Sequence, residues 1–346
     1  MNVKYIFFLI NILFLIIFTS CNKNYNSNNS ISEFKIGVFL YTKDDTFIST
    51  LQSNIEKAAR NKEIEESVKI PIDFFDAKGS QTVQNEQIYK CMEKNYSVLC
   101  INIVDRTVVA PIIEKAKMYN IPIIFFNREP VKEDIERWNK VYYVGADAKV
   151  SGIMQGNIVV DIYNSNKYNF DKNKDGKIQY IVLEGEQGHQ DSILRTEYAI
   201  KTISNADIQL DKLANETANW QRSQGMSKTS QLIKTFGNDI ELILSNNDDM
   251  ALGAIDAYSS ENITLSLPII VGIDCVESAI EELRNGRLKG TVFGDFEGQA
   301  KSIIDLSYAL ALDEEPSKYV KLENERYVMH PYIPVTMENL YKLDLN

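Results

Sequence analysis

The chain has 346 residues, 48 acidic against 37 basic, for a formal net charge of −11. So acidic a surface repels a phosphate backbone, which excludes nucleic-acid binding as the main function. With 44% hydrophobic and 25% charged residues the composition is that of a folded globular protein, and cysteines without short spacing argue against a disulfide framework or a zinc site while leaving room for one disulfide pair.

The first segment, MNVKYIFFLINILFLIIFTSC, sets Lys4 before an apolar run from Tyr5 to Phe18, then Thr19, Ser20 and Cys21. An early positive charge, an apolar stretch and small residues before a break mark a secretory signal. The run is short against the ~20 residues of a membrane span, which disfavours the competing reading of an uncleaved anchor. Thr19 and Ser20 ahead of Cys21 resemble a bacterial lipobox. Residues 1–20 are therefore expected to be a lipoprotein signal peptide, with Cys21 the lipid-bearing first residue. Removing them takes away one lysine and no acid and leaves a net charge of −12. The next stretch, NKNYNSNNSISE, is polar and rich in Asn and Ser, so residues 21–33 read as a flexible tether. Of the other cysteines, Cys100 and Cys275 lie in apolar runs and read as small hydrophobes; Cys91 has no partner at short spacing.

From Phe34 onward, strand and helix patterns alternate. FKIGVFLY, PIDFFDA, SVLCINIV and IPIIFFN read as strands, with amphipathic helices FISTLQSNIEKAARNKE, QNEQIYKCMEKN and VVAPIIEKAKMYN between them. The alternation restarts with YYVG, VSGIMQGNIVVDIYN, IQYIVLEG, ILRTEYAIKTIS, IELILSN, ALGAIDAYSS, IIVGID, ESAIEELRNG and GTVFGD. This pattern predicts an α/β fold of two Rossmann-like lobes with parallel sheets and right-handed crossovers. A mature chain this long exceeds one typical core, which also favours two lobes.

Residues 171–179, DKNKDGKIQ, carry oxygen-bearing side chains at alternate positions. Asp171, Asn173 and Asp175 match positions 1, 3 and 5 of a calcium loop, Gly176 the turn, the Lys177 carbonyl position 7 and Gln179 position 9. The twelfth position, where a bidentate Glu belongs, is Val182, in a predicted strand. The loop is either dead, an ordinary solvated turn, or completed from elsewhere in the chain.

In open parallel sheets, ligands sit beyond the carboxyl ends of the strands. Those ends carry Asp44, Asp45 and Phe47; Asn102; His189, Asp191 and Arg195; Asn246, Asn247 and Asp248; and Asp274. The loop NETANWQR adds Trp220, one of two tryptophans. Carboxylates accept from hydroxyls, Asn, Arg and His donate, and Phe and Trp rings cover the C–H faces of a sugar. Taken singly, Asp45 and Asp274 read equally well as helix N-caps, Phe47 as core and His189 as a satisfied loop histidine. Their convergence at one edge of two sheets favours a neutral, hydroxyl-rich ligand.

The stretches YTKDDTF, INIVD, IIFFNREP, YYVGADAKVSGIMQG, DKNKDGKIQY, EGEQGHQD, LSNNDDMALGAIDA and VGIDC, in order from about Phe34 to Leu343, resemble the galactose/glucose-binding class of bacterial periplasmic binding proteins. The resemblance implies the type I fold, with a three-strand hinge and no catalysis. It implies sugar contacts from Asp45, Phe47, Asn102, His189, Asp191, Arg195, Trp220, Asn247 and Asp274, with Phe47 and Trp220 on the two faces of a pyranose. It also implies a structural Ca²⁺ held by Asp171, Asn173, Asp175, Lys177, Gln179 and, from a distant strand, Glu241. Gly294 departs from the pattern, which has Asn there. The implied lobes are 34–126 with 296–325, and 127–295 with 326–346, so the chain would cross near Asn127, Gly294–Phe296 and Glu325–Tyr327. The expected ligand is D-galactose or D-glucose, captured by hinge closure by a monomer outside the cytoplasm. An ABC permease, and a chemoreceptor as a second reader, are the implied protein partners.

Three rivals are weaker. An exported hydrolase using His189 with Asp191 or Asp274 lacks a G-x-S-x-G elbow, a Cys/His pair or an evident nucleophile. A sugar-sensing transcriptional regulator would carry a DNA-binding headpiece where the signal segment stands, and would not be this acidic. A sensor-only lipoprotein has the same sequence signature as an importer component.

Overall fold

The computed structural model describes residues 33–260 and 266–342. The expected signal peptide, the Cys21 lipidation position and all of the tether but Glu33 lie outside the described residues, as do residues 343–346. Among the described residues no helix is long and apolar enough to cross a membrane.

The first lobe follows the predicted alternation. In chain order it has β1 (Ile36–Leu40), α1 (Thr46–Glu66), β2 (Ile72–Asp76), α2 (Gln81–Met92), β3 (Val98–Ile101), α3 (Ala110–Tyr119), β4 (Ile123–Phe126) and β5 (Val141–Ala146). Each strand is a short apolar run, fully buried in β1, β3 and β4, as a sheet covered on both faces requires. In α1, Ile48, Leu51, Ile55 and Ala59 recur at helical spacing and bury one stripe. Asp45 caps its start by accepting from the Ile48 N–H at 3.0 Å, and Ser67 ends it with φ 54°. Burying each large aliphatic side chain there contributes about 1.5–3 kcal/mol, so Leu51→Ala would cost about 2–5 kcal/mol.

The second lobe contains α4 (Ala148–Phe170), β6 (Ile178–Glu184), α5 (Gln190–Asn205), β7 (Leu210–Thr217), α6 (Arg222–Phe236), β8 (Leu242–Ser245), α7 (Asp248–Ser260), β9 (Ile269–Val271), α8 (Glu277–Arg284) and β10 (Thr291–Gly294). The chain then returns through α9 (Phe296–Ala311) and β11 (Tyr327–His330), and ends in β12 (Tyr332–Val335).

The first sheet has six parallel strands in the order β11-β5-β4-β3-β1-β2. The second is β7-β6-β8-β9, also parallel. Bridges Val271↔Gly290 and Asp274↔Phe293 join it to β10, which pairs antiparallel with β12. In both sheets the order reverses beside the first strand of the lobe, β1 or β6, and that switch point is where a cleft opens. The helix α9 lies along α1, and Ile303 and Ile304 join Ile48, Leu51 and Ile55 in one core. A second core holds Phe39, Ile88, Ile112 and Phe125 on the opposite face of the sheet.

Two expected crossings shift. β5 pairs with β4, Ile123 against Val141, so residues 127–146 stay with the first sheet and the chain leaves after Ala146, not near Asn127. β11 pairs with β5, Tyr327 against Tyr143, so the last crossing falls at Pro331, between β11 and β12, not at Glu325–Tyr327. β5 extends the sheet from β4, and its open side then offers β11 a ladder of N–H and C=O groups, which makes β11 the edge strand. The crossing at Gly294–Phe296 lies between β10 and α9.

Candidate functional site

A cleft between the lobes is lined by Tyr41, Asp45, Phe47, Asn127, Arg128, His189, Asp191, Arg195, Trp220, Asn247 and Asp274. Eight of the nine residues expected to contact sugar stand on this wall. Asn102 does not. It is fully buried behind the wall, accepting from the Tyr41 N–H at 3.4 Å and donating to the Phe126 carbonyl and the Asn127 side chain at 3.3 and 3.0 Å. Its geometry holds Tyr41 and Asn127 in place. Tyr41, Asn127 and Arg128 are the wall residues missed from the sequence. All three follow strands β1 or β4, so applying the strand-end rule to FFNREP as well would have found the last two.

From the first lobe, the Asp45 carboxylate does two things at once: it caps α1 and accepts from the Tyr41 hydroxyl. Phe47 stands two residues on and tilts against Phe296, ring centroids 4.8 Å apart. From the second lobe, His189 caps α5, its Nδ1 accepting from the Asp191 N–H at 3.1 Å. That bond leaves the ring proton on Nε2 as a donor. Burial, then the charges of Arg128, Arg195 and Arg106, holds the His189 pKa well below the ordinary value, so the ring is neutral at pH 7.

Arg195 is the hub of the second-lobe wall. It is 5% exposed, donates to the Asn246 carbonyl at 2.8 Å and to the Tyr332 hydroxyl at 3.2 Å, and pairs with Asp191 and Asp274 at 3.8 and 3.7 Å. Its Nε is buried without a partner. Burial pushes both carboxyls upward, Asp274 strongly, against the pull of Arg195. A buried unpartnered donor beside one buried and one half-buried acid is a set of groups short of hydrogen bonds. A ligand rich in hydroxyls, each both donor and acceptor, meets that need.

Trp220 is seated by its neighbours. Its carbonyl accepts from Asn247 Nδ2 at 3.1 Å, and the His189 ring meets it edge-on with centroids 5.2 Å apart. The Asn247 side-chain oxygen caps α7 by accepting from the Met250 N–H at 3.0 Å. Gly185, at the end of β6, makes room for the indole: a Cβ there would lie 2.0 Å from Cζ2. Asn127, Trp220 and Asp274 all have positive φ, at 60°, 64° and 119°. Such backbone costs about 1–3 kcal/mol per residue and persists where the surroundings over-determine it. Three strained residues on one wall mark it as a built site.

The predicted calcium loop lies away from this wall. Glu241, one residue before β8, is 1% exposed and reaches into the loop. Its Oε2 accepts from the Gln179 N–H at 3.1 Å, and its Oε1 accepts from the N–H groups of Lys172 and Asn173. Asp171 Oδ2 accepts from the Gly176 N–H at 3.0 Å, while its Oδ1 is buried with no partner. Asn173, Asp175 and Gln179 join through side-chain bonds of 2.8 to 3.3 Å. Among the described residues, no three acidic, His or Cys side chains stand close enough together to hold a metal by themselves. The remaining oxygens of this loop come from two amides and the Lys177 carbonyl, all suited to a hard cation. The orphaned Asp171 oxygen and the all-oxygen donor set fit Ca²⁺. The cysteines Cys91, Cys100 and Cys275 are buried and free.

A family model described as the periplasmic binding protein domain matches residues 36–315. The chain is 37% identical over 308 residues to the D-galactose/methyl-galactoside binding periplasmic protein MglB of Haemophilus influenzae, covering 88% of this chain and 90% of that one. It is 27% identical over 306 residues to a putative rhizopine-binding protein of Rhizobium meliloti, covering 88% and 91%. Among solved structures, a solute binding protein of an ABC transporter from Bacillus halodurans with bound myo-inositol superimposes with a TM-score of 0.75 at 28% identity, covering 90% of this chain and 98% of that one.

Proposed function

The chain belongs to the periplasmic binding protein family, and from that premise we propose that it captures D-galactose or D-glucose in the interlobe cleft and delivers it to an ABC importer. The family consists of solute-binding proteins that work outside the cytoplasm, so the chain is a binding protein and not an enzyme.

One observation carries the hexose reading: Asp45, Phe47, His189, Asp191, Arg195, Trp220, Asn247 and Asp274 converge on one wall. In this reading Asp45, Asp191 and Asp274 accept from sugar hydroxyls, Arg195, His189 and Asn247 donate, and the Phe47 and Trp220 rings cover the C–H faces. Two relatives support a six-membered, hydroxylated ring: one is named for galactose and its methyl glycoside, the other holds myo-inositol. Because Asp45 and Phe47 belong to one lobe and the other six to the second, the sugar gains its full contacts only when the lobes close. Closure then links occupancy to shape, the signal an importer, and a chemoreceptor beside it, would read.

In the same reading, Asp171, Asn173, Asp175, Gln179, Glu241 and the Lys177 carbonyl would hold Ca²⁺. The ion would supply positive charge among these oxygens and act structurally. Cleavage before Cys21 and lipidation of that residue would tether the protein to the membrane.

Calorimetric titration with D-galactose, D-glucose, D-ribose, L-arabinose and a neutral amino acid tests the proposal. The two hexoses should bind more tightly than the pentoses, and the amino acid not at all. Binding of a pentose or the amino acid with no hexose binding overturns it.

A further inference from the structure

Arg128 and Glu186 meet across the cleft from opposite lobes. Arg128 follows β4 of the first lobe, and Glu186 follows β6 of the second. Arg128 is fixed from its own side: its guanidinium lies 3.7 Å from the Tyr41 ring centroid, and Nη1 donates to the Val104 carbonyl at 2.9 Å. Nη2 reaches across to Glu186 Oε2 at 2.7 Å. The arginine side chain is 5% exposed and the glutamate 37%, so water competes at one end only. With its guanidinium already oriented, Arg128 loses little further freedom on making the bond.

The position of Glu186 is informative. It is not on the inner wall with Asp45 and Trp220, yet it lines both openings beside that wall: one with Arg106, Glu129 and Gln190, the other with Asp44, Asp76 and Gln224. The pair therefore spans the mouth between the two openings. A weaker second link runs beside it, Gln190 Nε2 to Glu129 Oε2 at 3.4 Å, again from one lobe to the other. Neither link can persist when the lobes separate.

We propose that the Arg128–Glu186 ion pair is a strap across the cleft mouth that stabilises the closed arrangement and sets the rate at which a bound solute leaves. Apparent affinity scales with the fraction of molecules in the binding-competent form, so a bond present only on closure raises affinity without touching the ligand. Truncating such a pair acts mainly on dissociation. The strap takes only its probe ligand from the hexose reading.

The variant that tests it is Glu186→Gln, which removes the charge, keeps the shape and leaves every inner-wall residue in place. Arg128 is unsuitable because it is itself on that wall. Stopped-flow release of D-galactose should quicken on the order of three- to tenfold in the variant, with association little changed. Added salt should speed release from the native chain more than from the variant. Without sugar, small-angle X-ray scattering should give a larger radius of gyration for the variant. A residue that merely supports its loop would lower Tm and leave the radius and the salt slope alone, which overturns the strap. An unchanged release rate with an unchanged radius also overturns it. Should the native chain bind neither hexose, the hexose reading falls, and the scattering comparison alone decides the strap: equal radii reject it and a larger variant radius sustains it.

Discussion

Gly294 replaces the Asn of the family pattern, and its backbone does not require glycine. It is absent from the residues with positive φ, and a Cβ there would meet only ring carbons of Phe47 and Tyr332, at 3.5 and 3.6 Å. Those are ordinary contacts, so a side chain can be added without backbone strain. Phe47 is on the cleft wall, so an Asn at 294 would bring an amide beside the proposed sugar site. Gly294→Asn should leave Tm within a few degrees and tighten hexose binding by about 1 kcal/mol, roughly fivefold. Weaker binding together with a lower Tm would reject this and make the glycine a hinge requirement. Other residues on the wall were legible for a simple reason: Asp45, His189 and Asn247 stand just past strands and just before helices. There the cap and the ligand contact are compatible, since Asp45 and Asn247 each have a second polar atom and His189 a second ring nitrogen. Asn127 and Arg128 follow β4 in the same way, so the strand-end rule reaches them too once it is applied to FFNREP.

At the scale of elements, the loop at 171–179 is stapled to the start of β8 by one carboxylate. Glu241 accepts three backbone N–H bonds, so Glu241→Gln weakens the loop through both routes. Comparing chelator effects separates them. A chelator should lower Tm of the native chain, since a ligand bound only by the folded form adds about 2.7 kcal/mol at a hundredfold excess over Kd. The same chelator should leave Tm of the Glu241→Gln variant unchanged at its lower value. Equal Tm of the native chain with and without chelator, on protein first shown to contain the ion, would falsify the calcium reading. The half of this site that lies in DKNKDGKIQ was readable from its spacing. Glu241 was supplied by family resemblance, because the contact spans 62 residues to Gln179 and depends on which strand pairs with β6. The same limit hid β7. Its sequence, LDKLANET, is polar and mostly exposed or half-buried, as an edge strand is, so no apolar period betrays it.

For the whole molecule, the two sheets repeat one strand order from unlike sequences, and their switch points face a shared cleft. The alternation of strand and helix patterns made that architecture legible. Where the chain passes between lobes was less so, because YYVG reads equally well as the last strand of one sheet or the first of the next. Only hydrogen bonding to β4 decides it. With both lobes completed by returning segments, a ligand that touches both must stabilise both. Saturating D-galactose at a hundredfold excess over Kd should add about 2.7 kcal/mol, a rise in Tm of roughly 4 °C for a chain of this size. Differential scanning calorimetry of the calcium-loaded protein should show the whole unfolding endotherm moving upward with galactose and staying in place with ribose. If the endotherm resolves into two transitions and galactose moves only one, the sugar is held by a single lobe. Contact from Asp45 and Phe47 on one side and from Arg195, Trp220 and Asp274 on the other would then be wrong, even with the affinity intact.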